Sequence, residues 1–422
     1  MKRLVNTYDL VVIGAGPAGS MAARVAAQYG LKVLVLEQRR TVGYPSHCAG
    51  GILSLILDRM GVRSIVNNSI RALIENIRLF SPSGEQASQS FRKSIGYIVD
   101  RPSFDQLLMN DAQQKGAELQ TQTRAIGLEG DKYSFNQVVV KSKTEIQKIK
   151  TRMIIGADGI ASNIAKWAGI SVSRKYLGIG FGYNAQNVKD ILPNTVEIYF
   201  ISHLPGGYAW IFPQGAEMAN IGVGGYNDGT YMRKVFEFFR RKHPIASTKL
   251  RDARLIEYTG GIVPGSKVPL KTTFNYGMIA GDAANQVDYL TGEGIRLALI
   301  SGDLAGKVAV SAFRTGDFSL IHNYHKLMQK TLFLELFASY ILRHFLLHCY
   351  ESDYDNFIHA ISKINLNLLF DKRKWIPLFL QGILKSPSVI KIVRNTFRSL
   401  PSHVKLNLFS SYRTKPPISE FG

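Results

Sequence analysis

Apolar residues run along this chain in two rhythms, and the points where one gives way to the other set the expected fold. Residues 10–13 are an unbroken apolar run, the pattern of a strand covered on both faces, and the run stops in the turn Gly14-Ala15-Gly16-Pro17-Ala18-Gly19. Small residues then recur at helical spacing to about Gly30, and a second strand pattern, 32–37, opens on Lys32 and ends on Glu37. The stretch 67–96 has no clear rhythm and reads as a short variable segment, after which Arg101, Phe104 and Asp105 start another helix. Residues 135–140 and 153–155 read as further strands, the second delivering Gly156-Ala157-Asp158-Gly159. From 175 to 226 strand follows strand, at 177–185, 196–201, 208–212 and 219–224, which predicts an antiparallel sheet inserted as a second domain. A helix is expected at 231–242. A strand at 276–280 then returns to the first domain, feeding Gly281-Asp282-Ala283-Ala284 and, at the start of a long helix, Gly292-Glu293-Gly294-Ile295.

The opening turn carries chemistry because its context is strand, glycine turn and helix. Gly14 permits the tight turn, Gly16 lets the backbone approach a pyrophosphate, and Gly19 lets the helix lie close on the strand. The phosphates then face the helix N-terminus. Glu37 stands where a carboxylate accepts hydrogen bonds from both ribose hydroxyls of an adenosine, so a bound dinucleotide is expected. No second glycine fingerprint follows. The glycines at 178, 180 and 182, and at 222, 224 and 225, lie inside strand patterns and read as bends or close packing, so no dedicated nicotinamide domain is expected.

Composition narrows the partners. A chain of 422 residues is long enough for two or three domains, and its formal net charge of +21 implies an anionic partner such as a membrane surface or an acidic substrate. The basic residues come with no recognisable nucleic-acid module, so nucleic acid is not expected. Two cysteines, Cys48 and Cys349, are too few and too far apart to suggest a disulfide framework, which points to a reducing cytoplasmic compartment. Asp9 interrupts the early apolar stretch, so Lys2 and Arg3 do not begin a secretion signal. No stretch of about 18 residues is both continuously apolar and free of charge. Residues 331–350 come nearest but contain Glu335 and Arg343, and read as a buried or interfacial helix. From Asp371 onward, basic residues interleave with Trp375, Ile376, Leu378, Phe379 and Leu380. Such a tail is either an amphipathic surface resting on anionic lipid or a helical cap with a solvated basic face.

Taken in order, the motifs resemble those of the geranylgeranyl reductase family, within the wider group of aromatic hydroxylase-like FAD enzymes. The resemblance covers residues 1 to about 310. It rests on the glycine turn, Glu37 with Arg39, the segment from Pro45 to Cys48, Arg101 with Phe104 and Asp105, Asp158-Gly159, Gly281-Asp282, and the segment Leu204-Pro205-Gly206-Gly207-Tyr208-Ala209-Trp210-Ile211-Phe212-Pro213. It implies an α/β fold in which a Rossmann-like FAD-binding domain (1–170 and 265–315) receives an inserted antiparallel-sheet substrate domain (171–264). A helical, basic C-terminal region (316–422) follows. It places FAD contacts on Gly14, Gly16, Ala18, Gly19, Glu37, Cys48, Ala49, Gly51, Arg101, Ala125, Asp282, Gly294 and Ile295, and puts Tyr208, Trp210 and Phe212 on the wall of the substrate cavity. Two positions depart from the pattern. Tyr289 stands where the family often has proline and Asn285 where it has a small glycine, which puts substrate geometry in doubt more than FAD binding.

The activity implied is saturation of isolated double bonds of geranylgeranyl chains on an archaeal-type ether phospholipid, by an enzyme peripheral on the cytoplasmic membrane. The electron donor would be reduced nicotinamide or ferredoxin, and no metal site is expected. Cys48 would lie near the flavin, placing a proton or tuning the cofactor, and its neighbour His47 is structural. Two rival readings use the same motifs: an FAD-dependent monooxygenase or halogenase, and a membrane-associated flavin electron carrier with no substrate of its own.

Overall fold

Short apolar runs ending at glycine or a carboxylate become the buried strands of the first domain. The computed structural model describes residues 7–362, apart from 131–134, 144, 174–176, 227–228, 266–270 and 348; the basic tail from Asp371 lies outside the described residues. The chain begins β1 (Thr7–Ile13), α1 (Pro17–Gln28), β2 (Val33–Leu36), β3 (Gly51–Leu53), α2 (Ser54–Arg59), β4 (Ile70–Ile74), β5 (Asn76–Phe80), β6 (Gln86–Ser90) and β7 (Gly96–Val99). It continues with α3 (Arg101–Gln114), β8 (Glu118–Gln120), β9 (Arg124–Gly130), β10 (Phe135–Lys141), β11 (Ile146–Gly156) and α4 (Asn163–Trp167). The strands β12 (Leu177–Gln186), β13 (Thr195–Tyr199), β14 (Tyr208–Pro213) and β15 (Ala219–Gly225) precede α5 (Gly229–Arg241) and α6 (Ala246–Leu250). Last come β16 (Arg254–Tyr258), β17 (Gly261–Pro264), β18 (Thr273–Phe274), β19 (Gly277–Ile279), α7 (Ile295–Thr315), α8 (Ile321–Leu346) and α9 (Glu351–Ser362).

The first sheet runs β18-β19-β11-β1-β2-β8, with β10 and β9 continuing from β11. Its centre is parallel, β1 pairing with both β2 and β11, so the strand ends that carry Ile13, Leu36 and Gly156 come out along one edge. Helices α1 and α7 lie against this sheet and against each other. Their approach is close because α7 turns Gly302 and Gly306 toward α1: a Cβ on Gly302 would sit 2.2 Å from the Ala18 carbonyl oxygen, and one on Gly306 2.7 Å from Val25 Cβ.

The second sheet runs β16-β12-β15-β14-β13-β5-β6, with β17 also on β12. The stretch 67–96, expected as a short variable segment, supplies strands to two sheets. Its β5 and β6 extend the second sheet, β5 pairing in parallel with β13, while β4 and β7 join β3 in a three-stranded layer. Alternation decides the faces of the second sheet. Ala209 and Ile211 of β14, with Ala219, Ile221 and Val223 of β15, point into a core closed by Met232, Val235, Phe236 and Phe239 of α5. The alternate residues of the same strands point the other way, toward the first domain.

That outer core also holds polar groups that must be satisfied. Lys249 Nζ lies 2.7 Å from Glu197 Oε1, and the Tyr199 hydroxyl donates to Glu197 Oε2 at 2.7 Å. His243 is buried, and its Nδ1 accepts the backbone N–H groups of Ile245 and Ala246 at 3.3 and 3.2 Å, capping α6. Burial pushes its pKa from the ordinary value down to about 4. Between the two values the folded protein binds fewer protons than the unfolded chain. Stability is therefore fully present above the ordinary histidine pKa and falls as pH drops toward 4, by about 3 kcal/mol. The variant His243→Asn keeps a capping acceptor without a titrating group. Its melting temperature should depend less steeply on pH over that window, and an unchanged slope would remove His243 as the cause.

Candidate active site

The three glycines of the opening turn prove to have three different surroundings. A Cβ on Gly14 would stand 2.2 Å from the Ala157 carbonyl oxygen, and one on Gly19 would stand 1.8 Å from the Gly14 carbonyl oxygen. A Cβ on Gly16 would meet nothing within 4 Å. Two glycines therefore serve contacts within the protein, and the third faces open space at the N-terminus of α1, where no side chain caps the helix. That is the surrounding an FAD pyrophosphate requires. Glu37 Oε2 accepts from Ala15 N at 3.0 Å and Oε1 accepts from Arg39 N at 2.9 Å, which fixes the carboxylate and leaves lone pairs for ribose hydroxyls. Ala125 of β9 lies near this end, two residues beyond Thr123, whose N–H donates to the Glu37 carbonyl at 2.9 Å.

On the other side of the turn, a Cβ on Gly281 would be 3.0 Å from Ala18 Cβ, and a Cβ on Gly294 would be 3.4 Å from Asp282 Oδ1. The sequence-distant candidates Ala18, Asp282, Gly294 and Ile295 thus gather around the N-termini of α1 and α7. Asp158 has a local task. It accepts from Ser162 Oγ at 2.5 Å and from the N–H groups of Asn163 and Ile164, shaping the loop on which Gly14 rests.

Cys48 is half-buried, and its Sγ accepts from Gly50 N at 3.3 Å. Arg101 neighbours Cys48, while its Nε and Nη2 hold the Asp105 carboxylate at 3.1 and 2.9 Å. Burial works to lower the Arg101 pKa, but Asp105 first and Cys48 second outweigh it, so the guanidinium stays charged. Arg101, expected among the FAD contacts, thus has side-chain partners that the sequence reading did not assign to it. The Asp105 pair could have been found from its four-residue spacing on a helix. His47 Nδ1 lies 3.0 Å from the Gly260 carbonyl oxygen, tying this segment to the turn between β16 and β17.

The link from thiol to second sheet is direct: a Cβ on Gly51 would be 3.4 Å from Phe212 Cε2. Tyr208, Trp210 and Phe212 line up on the inner face of β14, with ring centroids 5.9 and 6.1 Å apart. The Trp210 indole lies on bare backbone, because a Cβ on Gly222 would be 2.4 Å from its Cζ2 and one on Gly224 would be 3.2 Å from its Cζ3. Its Nε1 donates to Asn220 Oδ1 at 2.8 Å, and Asn220 Nδ2 in turn reaches Asn184 and Thr259, each at 2.9 Å. Those mid-strand glycines are close-packing positions, as expected. Beyond the aromatic row the inner face continues through half-buried Val196 and Ile198 of β13 and Ile77 and Leu79 of β5. Leu342 and Leu346 of α8, with Ile358 and Ile361 of α9, lie over this end. The result is an apolar face, a lane of side chains that starts beside Gly51 and runs out under the C-terminal helices. Ile77 and Leu79 were missed from sequence, although their alternation with Arg78 was a signal.

The two departures fit the same backbone. Asn285 adopts a left-handed conformation (φ 53°) that asparagine tolerates better than most residues, and its Nδ2 donates to the Ser173 carbonyl at 3.1 Å. Tyr289 is buried, and its carbonyl accepts the Tyr226 hydroxyl at 3.0 Å. The Tyr208 hydroxyl donates to the Thr291 carbonyl. Burial above all raises the Tyr208 pKa, with Asp288 adding to it, so the phenol keeps its proton.

Comparison with known proteins agrees with this geometry. The FAD binding domain family matches residues 7–329. The chain is 35% identical to the digeranylgeranylglycerophospholipid reductase of Methanocaldococcus jannaschii over 94% of its own length and 100% of that protein. It is 34% identical to the enzyme of the same name from Methanosarcina acetivorans, over 87% and 92% of the two chains. Among solved structures it is similar to a geranylgeranyl bacteriochlorophyll reductase-like protein from Thermoplasma acidophilum, with a TM-score of 0.81 at 27% identity, covering 96% of this chain and 99% of that one. A flavin-dependent brominase shares the fold at a TM-score of 0.71 but only 16% identity, over 90% of this chain and 99% of that one.

Proposed function

Because the chain belongs to the FAD-binding family that contains the digeranylgeranylglycerophospholipid reductases, we propose that it saturates isolated double bonds of geranylgeranyl chains carried on an ether phospholipid. It is an FAD-dependent oxidoreductase acting on carbon–carbon double bonds. The observation that carries the substrate reading is the aromatic face of β14 meeting Gly51 beside Cys48. A long apolar lane there abuts the cofactor cradle, and a prenyl chain is a ligand of that shape and polarity.

Held by the residues named below and reduced by an external donor such as reduced nicotinamide or a ferredoxin, FAD would supply the hydride for one alkene carbon, with a proton completing the other. The chain's own contribution is position. Gly16 and the N-terminus of α1 hold the phosphates, Glu37 the ribose, and Asp282 with the amides at Gly294 and Ile295 the reactive end. Tyr208, Trp210 and Phe212 align an unactivated alkene and keep water away, which such a poor hydride acceptor demands. Cys48, beside the Arg101 cation and just before Gly51, is assigned the placing of a proton or the tuning of the cofactor. Cys48→Ala should lose turnover while still retaining FAD. Full turnover with an unchanged flavin spectrum would take Cys48 out of the mechanism.

Anaerobic incubation with prenylated lipid and a reductant, read by mass spectrometry, tests the reaction: each reduced bond adds two hydrogen atoms. Oxygen consumption coupled to a hydroxylated or halogenated product would replace the reductase reading with an oxygenase one.

No helix among the described residues is long and apolar enough to cross a membrane. Peripheral attachment is supported by exposed Leu53, Leu55 and Leu73 at the end of the three-stranded sheet, beside exposed Arg92 and Lys93. Ser54 Oγ, between the first two leucines, donates to the Ser94 carbonyl at 2.7 Å, which brings the leucines and the basic turn together. Apolar side chains ringed by cations suit an anionic bilayer surface. The protein should float with anionic liposomes at low salt and be released as salt rises; recovery in the soluble fraction at low salt would end that assignment.

A further inference from the structure

Helix α8 is apolar along most of its length, yet it buries Ser339 and Arg343 and turns Glu335 inward with them. These residues are spaced by four, so they form one stripe along the helix. Burying such groups is costly unless each finds a partner, and a helix needed only as a lid is better served by leucine. Each has a partner on one loop or on the residues that hold it, and Arg343 Nη1 also donates to the Gly265 carbonyl at 3.0 Å. Glu335 binds Arg296, whose Nε holds Glu293 Oε2 at 2.9 Å. Ser339 Oγ accepts from Leu290 N at 3.0 Å. The Arg343 guanidinium stacks 3.4 Å over the Tyr226 ring, and the Tyr226 hydroxyl donates to the Tyr289 carbonyl at 3.0 Å. From the opposite side the Tyr208 hydroxyl takes the Thr291 carbonyl, and Asp288 Oδ1 accepts from the N–H groups of Leu290 and Thr291 at 3.0 and 2.8 Å. Residues 289, 290 and 291 are each gripped by a different element and lead straight into Gly294 and Ile295 at the N-terminus of α7.

We propose that Glu335, Ser339 and Arg343 are positioning residues through which α8 sets the loop 288–294 against the flavin. The stripe fixes where the amides of Gly294 and Ile295 stand relative to the aromatic face. The two ends of the reaction, cofactor and alkene, are thereby held in one register by a helix that touches neither reacting atom. The inference rests on FAD occupying the cradle and not on the identity of the substrate.

The test compares Ser339→Ala, Ser339→Thr and Arg343→Lys in the full-length, FAD-bound protein, using hydrogen–deuterium exchange, the visible spectrum and midpoint potential of the flavin, and steady-state kinetics. In Ser339→Ala, amides of 288–294 should exchange about tenfold faster, the factor one lost hydrogen bond represents. The first sheet and the rest of α8 should keep their protection, the flavin band and potential should shift, and kcat should fall with KM unchanged. Ser339→Thr should restore all of these, and Arg343→Lys, which keeps the charge but not the planar stack, should reproduce the loop effect. Unchanged exchange and spectrum in both Ser339→Ala and Arg343→Lys would overturn the proposal. So would loss of protection along the whole of α8, which would mean that the stripe only anchors the helix. Exchange and spectrum need no lipid, so a parent protein that reduces no alkene would sink the reductase reading and leave this result standing.

Discussion

Gly19→Ala yields a protein that melts at lower temperature and no longer retains FAD. In an ordinary helix this change would stabilise by about 1 kcal/mol. Here the new methyl group would lie 1.8 Å from the Gly14 carbonyl oxygen and 3.2 Å from Val12 Cγ1, so α1 has to move off β1. Its N-terminus moves with it, and the amides aimed at the pyrophosphate lose their geometry. Affinity for FAD should fall by at least about a hundredfold, an energy within the reach of one forced backbone displacement. Gly16→Ala is the informative partner, because the protein leaves that direction empty within 4 Å. It should leave the melting temperature of the FAD-free protein unchanged and still abolish FAD binding. Calorimetry on both variants without cofactor, and a flavin titration of each, separates the two effects; parent-like affinity in Gly16→Ala would mean that the pyrophosphate lies elsewhere.

Gly222→Ala is expected to leave the flavin in place and stop the chemistry. A methyl group there falls 2.4 Å from Trp210 Cζ2, on a strand whose other face is a filled core. The strand cannot retreat, so the indole must. Leaving its glycine bed breaks the 2.8 Å bond to Asn220 and pushes the ring into the lane where the prenyl chain would lie. Overpacking of this kind costs about 1–3 kcal/mol. If that strain appears at the reacting geometry, turnover falls about ten- to a hundredfold. The flavin absorption spectrum should match the parent, because none of the cradle residues is touched. Normal turnover would show that the lane lies elsewhere.

The cradle was legible in sequence because its information is local. The tasks expected of Gly16, Gly19 and Glu37 follow from spacing within one strand–turn–helix unit, whereas the closest approach to Gly14, by the Ala157 carbonyl oxygen, comes from beyond it. The aromatic row on β14 was legible as a row, since alternation puts Tyr208, Trp210 and Phe212 on one face. That the glycines of β15 form its floor needed the pairing register. The stretch 67–96 was lost for a different reason. Its strands are short, and those facing the lane are only half covered, so Ile77, between polar Asn76 and charged Arg78, and Leu79, just beyond, lack the contrast a filled core imposes. Glu335 and Arg343 were visible as charges that spoil a membrane span. What they touch was not, because these partners lie elsewhere in the chain, at Arg296, Tyr226 and Gly265.

The parallel pairing of β5 with β13 joins residues 76–80 to residues 195–199. The sheet that walls the lane is therefore not a cassette. A recombinant exchange of 177–264 between two flavoproteins would carry over the aromatic row and its floor while leaving the two outer strands behind in the recipient's own numbering. During synthesis β5 and β6 must also wait, edge exposed, until more than half of the described chain has emerged. If the lane holds the prenyl chain, substitutions along 76–90, ahead of the strands that look like the substrate domain, would alter substrate range without any change in those strands.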